Sequence, residues 1–293
     1  MSLPYSKFPV YIGQPGGSIP PEVQSYIPAT QVNVNYNTNN SPNRKQGVTP
    51  ITDQFGNVTG PLSDAFGFNG PLNADISINC IFHTGMMSGL NFLKDPNQDN
   101  FVTITLGSEV YKKCYAKDVS VNISPFAPVT LNANFVSLVP ASGGTITGDN
   151  NPYAGSSVPL DSEAVAYGHT CFLSAGNANV LNDTQSQITF KRSYTRSPVV
   201  NIGSATASEM LLDGIEEEMT IASTGLQNLI SFSGDALSTN LQVFICGVGG
   251  TAVMPDVVGL INFTNESRVL AESYSTQGGE TLTTSATIKQ IKL

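Results

Sequence analysis

Apolar and polar side chains alternate along much of this chain, and this period of two constrains the fold more than any other feature. The clearest runs are residues 32–36, 76–82 and 102–106, where Asn, Ser or Thr fills most positions between apolar residues. Successive side chains of a β-strand point to opposite faces, so the pattern predicts strands with one buried face.

Further segments continue this pattern. Residues 119–123 and 131–135 flank the turn SPFAP, whose prolines break a strand ladder, and together they predict a long hairpin over 119–138. In the second half, strands are predicted within residues 163–173, 185–194, 216–223, 241–248, 267–275 and 284–293. Helix is predicted only as short runs at 84–93 and 223–231, so the expected fold class is all-β with minor α.

Composition and charge narrow the functional classes. Charged residues make up 12% of the chain and apolar residues 40%, so a core can form and disorder is not expected. The formal net charge of −9 argues against sequence-specific nucleic-acid binding, which needs clustered Lys and Arg. No apolar run reaches the ~20 residues that cross a bilayer, and the N-terminus lacks a signal-peptide pattern. We therefore expect no membrane partner and synthesis in a cytoplasm.

The 293 residues suit two domains, at roughly 100–200 residues each. Residues 1–30 are rich in proline and glycine, which predicts an extended N-terminal arm whose aromatic residues bury against a neighbouring chain. A Gly/Ser/Asn/Pro stretch at 143–159 predicts a linker between a first β domain, 31–142, and a second, 160–293. Each is expected to be a small β-barrel or β-sandwich.

Similarity between the two halves predicts an internal duplication. Two anchors recur in the same order, at offsets of 156 and 151 residues. They are Ser41, Pro42 and Gly47 with Ser197, Pro198 and Gly203, and Thr130 and Leu131 with Thr281 and Leu282. Between these anchors, a strand, a Thr-Gly pair and a helix-like run follow one another in both halves. A duplication would give two similar β domains.

Catalysis is not expected from the motifs present. Nucleophilic catalysis needs a base, usually His, beside Ser or Cys, and neither His83 nor His169 lies in a recognisable catalytic motif. Each is interpreted as a structural histidine. Paired carboxylates stay open, because their separation is a spatial property. The candidates are Asp161, Glu163, Glu216, Glu217 and Glu218.

No metal or cofactor site is predicted. The cysteines lack C-x-x-C spacing and are interpreted as buried thiols; they are Cys80, Cys114, Cys171 and Cys246. In DPNQDN, Asp95, Asn97 and Asp99 occupy the first, third and fifth positions of a calcium loop, but Leu106 replaces the bidentate Glu. A polar turn, with Asn100 in a left-handed conformation, is the favoured interpretation. The chain contains no phosphate-binding glycine motif.

One segment is both basic and aromatic, YKKCYAK at 111–117. Its Lys112, Lys113 and Lys117, with Tyr111 and Tyr115, suit a nucleic-acid contact. On a strand of an acidic protein, pairing of these lysines with Asp or Glu is the favoured interpretation. The Asn-X-Ser/Thr triplets that begin at 122 and 262 carry little weight without a secretory signal.

Two segments resemble virion tail proteins of contractile-tailed bacteriophages. NESRVLAESYSTQGGETLTTSATIKQIKL, a strand, a Gly-Gly turn and a terminal strand, resembles their C-terminal hairpin. YIPATQVNVNYNTNNSPNRKQG, near the start, resembles the same proteins. The resemblance to the tail tube family, whose fold extends to baseplate hub proteins, implies β-barrels that form rings through sheets joined across subunits. Such rings line a channel for DNA ejection, and the family offers no catalytic residues.

For a duplicated chain, the resemblance implies rings of three chains with six similar domains, or rings of six chains. The implied partners are further copies and neighbouring tail proteins such as sheath, baseplate or tail terminator, and the location is the virion tail. DNA would only pass through the lumen. We expect polymer contacts at residues 1–30, 119–138 and 269–289. Carboxylates should outnumber Lys and Arg on the channel wall, because like charge repels DNA.

The competing interpretation is another virion β protein, such as a fibre-attachment, adhesion or capsid decoration module. It would bind a receptor or glycan through loops at one end of a sandwich. A β-sandwich hydrolase with two converging carboxylates is the third class.

Overall fold

The computed structural model consists almost entirely of antiparallel strands, which confirms the all-β prediction. It describes residues 10–13, 25–27, 29–37, 40–44, 65–69, 73–82, 101–106, 109–138, 149–150, 165–175, 179–181, 185–202, 207–224, 232–233, 236–237, 240–246, 257–264, 266–275 and 283–292.

Strands follow one another along these residues, with a single turn of 3₁₀ helix at Gly168–Thr170. In the first half they are β1 (Val10–Gly13), β2 (Ser25–Ile27), β3 (Ala29–Asn37), β4 (Asn40–Arg44), β5 (Ala65–Asn69), β6 (Asn73–Ile81), β7 (Val102–Leu106), β8 (Glu109–Ile123), β9 (Thr130–Ser137) and β10 (Asp149–Asn150). In the second half they are β11 (Phe172–Ala175), β12 (Asn179–Leu181), β13 (Gln185–Val199), β14 (Glu209–Thr224), β15 (Phe232–Ser233), β16 (Ala236–Leu237), β17 (Leu241–Cys246), β18 (Val257–Phe263), β19 (Arg268–Ser275) and β20 (Thr283–Lys292).

One large sheet crosses both halves of the chain. Its central strands lie in the order β3-β6-β9-β8-β13-β14-β20-β19, and every neighbouring pair is antiparallel. The halves meet where β13 pairs with β8, from Ile188 opposite Ile123 to Ser193 opposite Asp118. The other end of β8 continues through β7, β1 and β2. Strands β12-β11-β17-β18 form a second sheet, and β4 with β5 a third.

Most predicted strands are confirmed, including the hairpin of β8 and β9. The C-terminal strands β19 and β20 also pair with each other. The predicted helix at 84–93 lies outside the described residues; of the one at 223–231, Ser223 and Thr224 belong to β14 and the rest lies outside. Within the predicted linker, Asp149–Asn150 pairs with β8. The duplication and the barrel closure stay predictions, because Gly47, Gly203, Thr281 and Leu282 are not among the described residues.

In the described part of the N-terminal arm, the prediction that aromatic residues bury against a neighbouring chain is wrong for Tyr11. Strand β1 pairs with β2 on one side and β7 on the other, and Val10, Tyr11 and Ile12 are at most 3% exposed. Val10 lies opposite Leu106, and Ile12 lies opposite Ile104. These side chains are therefore buried within their own chain, because β7 offers an apolar strand nearby. They are not available to a neighbouring subunit.

The core follows the predicted alternation. Along β6, Ala74, Ile76, Ile78 and Cys80 are buried, and the residues between them are half-buried. Buried residues from both halves belong to one hydrophobic cluster. Phe190 of β13 meets Phe263 of β18 edge to face, with ring centroids 6.1 Å apart, so the second sheet packs on the inner face of the large sheet.

Candidate assembly surfaces

The outer face of the large sheet carries mainly amides and hydroxyls. One cross-strand row of partially or fully exposed residues consists of Gln31, Asn79, Asn132, Ser120, Lys191, Glu218 and Lys289. The adjacent row consists of Asn33, Ser77, Asn134, Asp118, Ser193 and Glu216. This face therefore explains the Asn/Ser/Thr positions of the sequence pattern.

Charges on this face are matched in pairs. Lys117 Nζ lies 3.2 Å from Asp75 Oδ1, and Lys289 forms an ion pair with Glu216. Lys191 lies directly opposite Glu218 in the register of β13 and β14. A lysine beside a carboxylate is a poor ligand for a phosphate, because the carboxylate repels the phosphate and offsets the attraction of the lysine.

Two longer strands of the large sheet, β3 and β19, each have one side that is largely unpaired among the described strands. Strand β3 pairs with β6 only, and β19 pairs with β20 along its length but with β16 at a single position, Arg268 opposite Ala236. An edge strand presents a row of backbone N–H and C=O groups that can pair with another chain. The nine-residue β3 is long for an unprotected edge.

The far end of the β13–β14 hairpin exposes aliphatic side chains. Ile202 is fully exposed, and Val200 and Leu211 are 45% and 52% exposed. The opposite surface of this hairpin packs on the first half of the chain, where Ala207 joins a buried cluster with Tyr115, Val136 and Leu138. Lys113 Nζ donates to the carbonyl oxygen of Ser208 at 3.1 Å. The hairpin is therefore held in place while Val200, Ile202 and Leu211 stay exposed.

The turn between β8 and β9 carries an exposed aromatic ring at the other end of β8. Phe126 is 87% exposed and has φ of 60°, in the left-handed region. Residues 165–170 hold this turn: Gly168 N–H donates to Ala127 O at 2.9 Å, and Val129 N–H donates to Ala166 O at 2.8 Å. A Cβ at Gly168 would lie 1.9 Å from Ser124 O, so the approach requires glycine.

The structure distinguishes between the two interpretations of YKKCYAK, a nucleic-acid contact and pairing of its lysines with carboxylates. Tyr111 and Tyr115 are 1% and 5% exposed, so neither ring is available to stack on a base. Lys117 has the carboxylate partner that the favoured interpretation predicts. Lys113, whose φ is 52°, instead reaches the Ser208 carbonyl. The aromatic part of a nucleic-acid site is thus absent from this segment.

A buried ionic network lies on the inner face of the second half. Arg192 Nε donates to Glu217 Oε1 at 2.5 Å, with the two side chains 3% and 1% exposed. Gln290 Nε2 donates to the other Glu217 carboxylate oxygen and to Asn262 O, and Ser267 Oγ donates to Gln290 Oε1 at 2.8 Å. Burial raises the pKa of the neighbouring Tyr194 hydroxyl, which Arg192 opposes.

In the sequence, Glu217 is one of three consecutive glutamates with nothing to distinguish it from its neighbours. The signal that identifies it is the period of two: Glu217 shares its strand face with Met219 and Ile221, and Arg192 shares its face with Phe190. Glu216 lies on the outer face with Lys289. Glu216 and Glu217 therefore lie on opposite faces of the sheet and do not converge on one cleft, and Arg192 neutralises Glu217.

The prediction of buried thiols is confirmed for Cys80, Cys114 and Cys246, which are buried and form no disulfide, while Cys171 forms no disulfide and is partly buried. Burial raises the pKa of Cys114 to about 12, against weaker lowering by hydrogen bonds from Ser137 and Ile104. Burial likewise raises the pKa of Cys171 to about 12 and that of Cys80 still further. Such thiols stay protonated and are poor nucleophiles.

The remaining candidates are mostly outside the described residues: His83, Asp95, Asn97, Asp99, Asn100, Asp161 and Glu163. His169 is exposed, and its ring lies beside Phe126 and Tyr167. In the part of the chain that is described, no three His, Cys, Asp or Glu side chains are grouped to hold a metal. The same part contains no helix long and apolar enough to cross a membrane.

No protein-family model and no curated protein matches this chain.

Proposed function

We propose that this chain is a structural subunit of a phage virion tail, a tail tube or baseplate hub protein, that assembles into rings or a tube with a channel for DNA ejection. The observation that carries the proposal is the large sheet with two strands, β3 and β19, that each have one side largely unpaired among the described strands. The resemblance of the C-terminal hairpin and of residues 26–47 to tail proteins supports it.

Two different open edges favour a closed ring. If β3 of one copy pairs with β19 of the next, each contact uses two different surfaces, and such contacts close into a ring when the rotation permits. Each subunit then satisfies both rows of edge groups, which removes the hazard of uncontrolled aggregation. Backbone pairing requires extended chain at the contact, which suits a protein built of strands.

The outer face suits a channel wall. Its amides and hydroxyls are neutral, and Lys117 and Lys289 each hold a carboxylate partner. DNA phosphates would find few unpaired cations there, so the polymer could slide without being retained. We assign this face to the lumen; a face rich in unpaired Lys or Arg in the assembled ring would contradict the assignment.

Proline scanning of β3 tests the proposal. The N–H groups of adjacent residues point to opposite sides of a strand, so of Asn33→Pro and Val34→Pro, one removes a donor from the free edge and the other a donor to β6. The edge variant should keep the circular dichroism spectrum and lose ring formation by negative-stain microscopy and mass photometry. The other variant should lose the fold. Asn33→Ala and Val34→Ala, which keep both donors, are the matched controls.

The outcomes are distinct. Stacked rings or tubes from the unmodified chain, abolished by the edge proline alone, support the proposal, and the mass per ring decides between three and six chains. A compact monomer from the unmodified chain, or rings that survive the edge proline, would overturn it. A monomer would favour the receptor-binding or decoration module instead.

A further inference from the structure

A cavity of about 440 Å³ lies on the outer face of the large sheet, where β3, β6, β9 and β8 are neighbours. Most of the described residues that line it carry a neutral hydroxyl or amide group: Thr30, Asn79, Ser120, Asn122, Thr130 and Asn132. The others are Cys80 and Leu131, which are buried. Cavities that bind small molecules measure about 300–1,000 Å³, so this one is large enough to hold such a ligand.

The strand register places these polar side chains next to one another. Asn132 lies opposite Asn79 on one side and opposite Ser120 on the other, and Thr130 lies opposite Asn122 in the next row. Side chains that lie directly opposite on neighbouring strands have Cβ atoms about 4.5–5.5 Å apart. The cavity is therefore lined by an array of hydrogen-bonding groups whose spacing is fixed by paired strands rather than by loops.

Hydrogen bonds with neighbouring residues already orient two of these amides. Asn122 Oδ1 accepts from Gln187 Nε2 at 3.0 Å and from Thr189 Oγ1 at 3.3 Å. Its nitrogen is thus the end that can donate to a ligand. Asn79 Nδ2 donates to Gln31 Oε1 at 3.3 Å, which leaves its oxygen to accept. One donor and one acceptor are therefore prepared before a ligand arrives.

Asn132, between Asn79 and Ser120, has an acceptor that is not used. Its Oδ1 is shielded from solvent and accepts no hydrogen bond from any described residue. A shielded acceptor without a donor is unfavourable, and turning the amide about its last torsion breaks no hydrogen bond at this oxygen. A ligand hydroxyl that donates to the turned amide would therefore form an interaction that the chain alone lacks.

We propose that this cavity binds a neutral saccharide. Each sugar hydroxyl both donates and accepts hydrogen bonds, which matches the amide and hydroxyl side chains around it. None of the described lining residues is charged, so none would offset the lost hydration of a charged ligand. None of them is aromatic either, which disfavours a nucleobase, since bases bind by stacking. Lys191, which follows Ser120 in the same row, does not line the cavity and lies opposite Glu218.

The site is formed by one chain, so it does not depend on the assembly proposed above. It lies on the face that we assign to the lumen, and a free subunit exposes this face to a small sugar. Because no aromatic ring is present to stack on the sugar, we expect weak binding, with a dissociation constant of about 1 mM.

Saturation-transfer NMR of the full chain with maltose and with cellobiose tests the site, with glucuronic acid and glucosamine as charged counterparts. We expect transfer to a neutral sugar, and a dissociation constant at least threefold higher in Asn132→Ala. A triple variant that combines it with Ser120→Ala and Thr130→Val should raise the constant at least tenfold. Ser77→Ala is the matched control, because Ser77 is also a half-buried serine of the outer face but does not line the cavity. It should bind normally.

Four results would overturn the proposal: no transfer to either neutral sugar from folded protein, stronger transfer to a charged sugar, unchanged binding in the triple variant, or equal losses in Ser77→Ala and the triple variant. Circular dichroism of each variant distinguishes a loss of binding from a loss of fold. By mass photometry, the triple variant should form the same assemblies as the unmodified chain. The sugar site and the assembly role can therefore fail separately.

Discussion

The inner face of the large sheet differs between the two halves of the chain along a single cross-strand row. In the first half the row consists of Val32, Ile78, Ala133 and Val119, and in the second half of Arg192, Glu217 and Gln290. All except Val32, which is partly buried, lie in the interior. The same sheet therefore has an apolar interior on one side of the β8–β13 junction and an ionic one on the other.

This difference indicates how the strand register is specified on each side of the β8–β13 junction. On the apolar side, a shift of two residues exchanges one apolar side chain for another, so alternation fixes the face but only packing fixes the register. On the ionic side, Glu217 must lie opposite both Arg192 and Gln290, because any other pairing leaves a charge buried without its partner. The network thereby defines one register for β13, β14 and the C-terminal strand β20.

Removing one charge should have the largest effect. Glu217→Ala leaves Arg192 buried without its partner, so we expect the free energy of unfolding to fall by about 3–5 kcal/mol in denaturant titrations. Glu216→Ala, one residue away on the exposed face, is the matched control and should cost less than about 1 kcal/mol. Equal losses for the two variants would show that the burial of Glu217 is not what matters.

The double variant sharpens the comparison. Arg192→Met with Glu217→Leu makes the second half resemble the first, and replacing a buried ion pair by apolar residues is often neutral. We expect the double variant to be more stable than Glu217→Ala by at least about 2 kcal/mol, since it leaves no unpaired charge. A double variant as unstable as the single one would mean that the pair itself contributes the stability.

Alkaline pH should destabilise the first half through its buried thiols. These thiols are neutral in the folded chain, in contrast with the buried ion pair of the second half. The pKa values of Cys80 and Cys114 are raised by burial, Cys114 to about 12, from an unfolded value of 9.0. Between these values the unfolded chain loses a proton that the folded chain retains, so stability is full below pH 9 and falls as pH rises. The slope is about 1.4 kcal/mol per pH unit for each thiol.

Thermal melts between pH 8 and 11 in the presence of a reductant measure this slope. Cys80→Ala with Cys114→Ala should make it shallower by the contribution of the two thiols, while Cys171 and Tyr194, whose pKa values burial also raises, still contribute. Arg192→Met with Glu217→Leu removes no thiol, so this double variant should keep the contribution of Cys80 and Cys114 to the slope. An alkaline slope that is equally steep with and without the two thiols would contradict the assignment.

The two regions also differ in how much of each could be predicted from sequence. Alternation predicted β6, β8 and β9 and the buried face of each strand, since side-chain direction is a local property. The same alternation predicts that Arg192 and Glu217 face inward. A buried charge is unfavourable on its own, so this prediction becomes acceptable only when β13 and β14 are known to be neighbours. The β8–β13 junction and the contact of Gly168 with Ser124 arise between segments distant in sequence, and no local pattern encodes such pairing.

The smallest expected effect concerns two ion pairs on the outer face, one in the first half and one in the second. The side chains of Lys117 and Asp75 are 49% and 36% exposed, and those of Lys289 and Glu216 are 27% and 51% exposed. Lys117→Ala and Lys289→Ala should each lower the free energy of unfolding by less than about 1 kcal/mol, and less still in high salt. Denaturant titrations at low and high salt measure both. Similar small decreases in the free energy of unfolding would show that the two halves differ in their interiors and not on their outer faces. The reason is that an ion pair contributes little where water screens it. A loss above about 2 kcal/mol for Lys289→Ala would instead extend the ionic character of the second half to its surface.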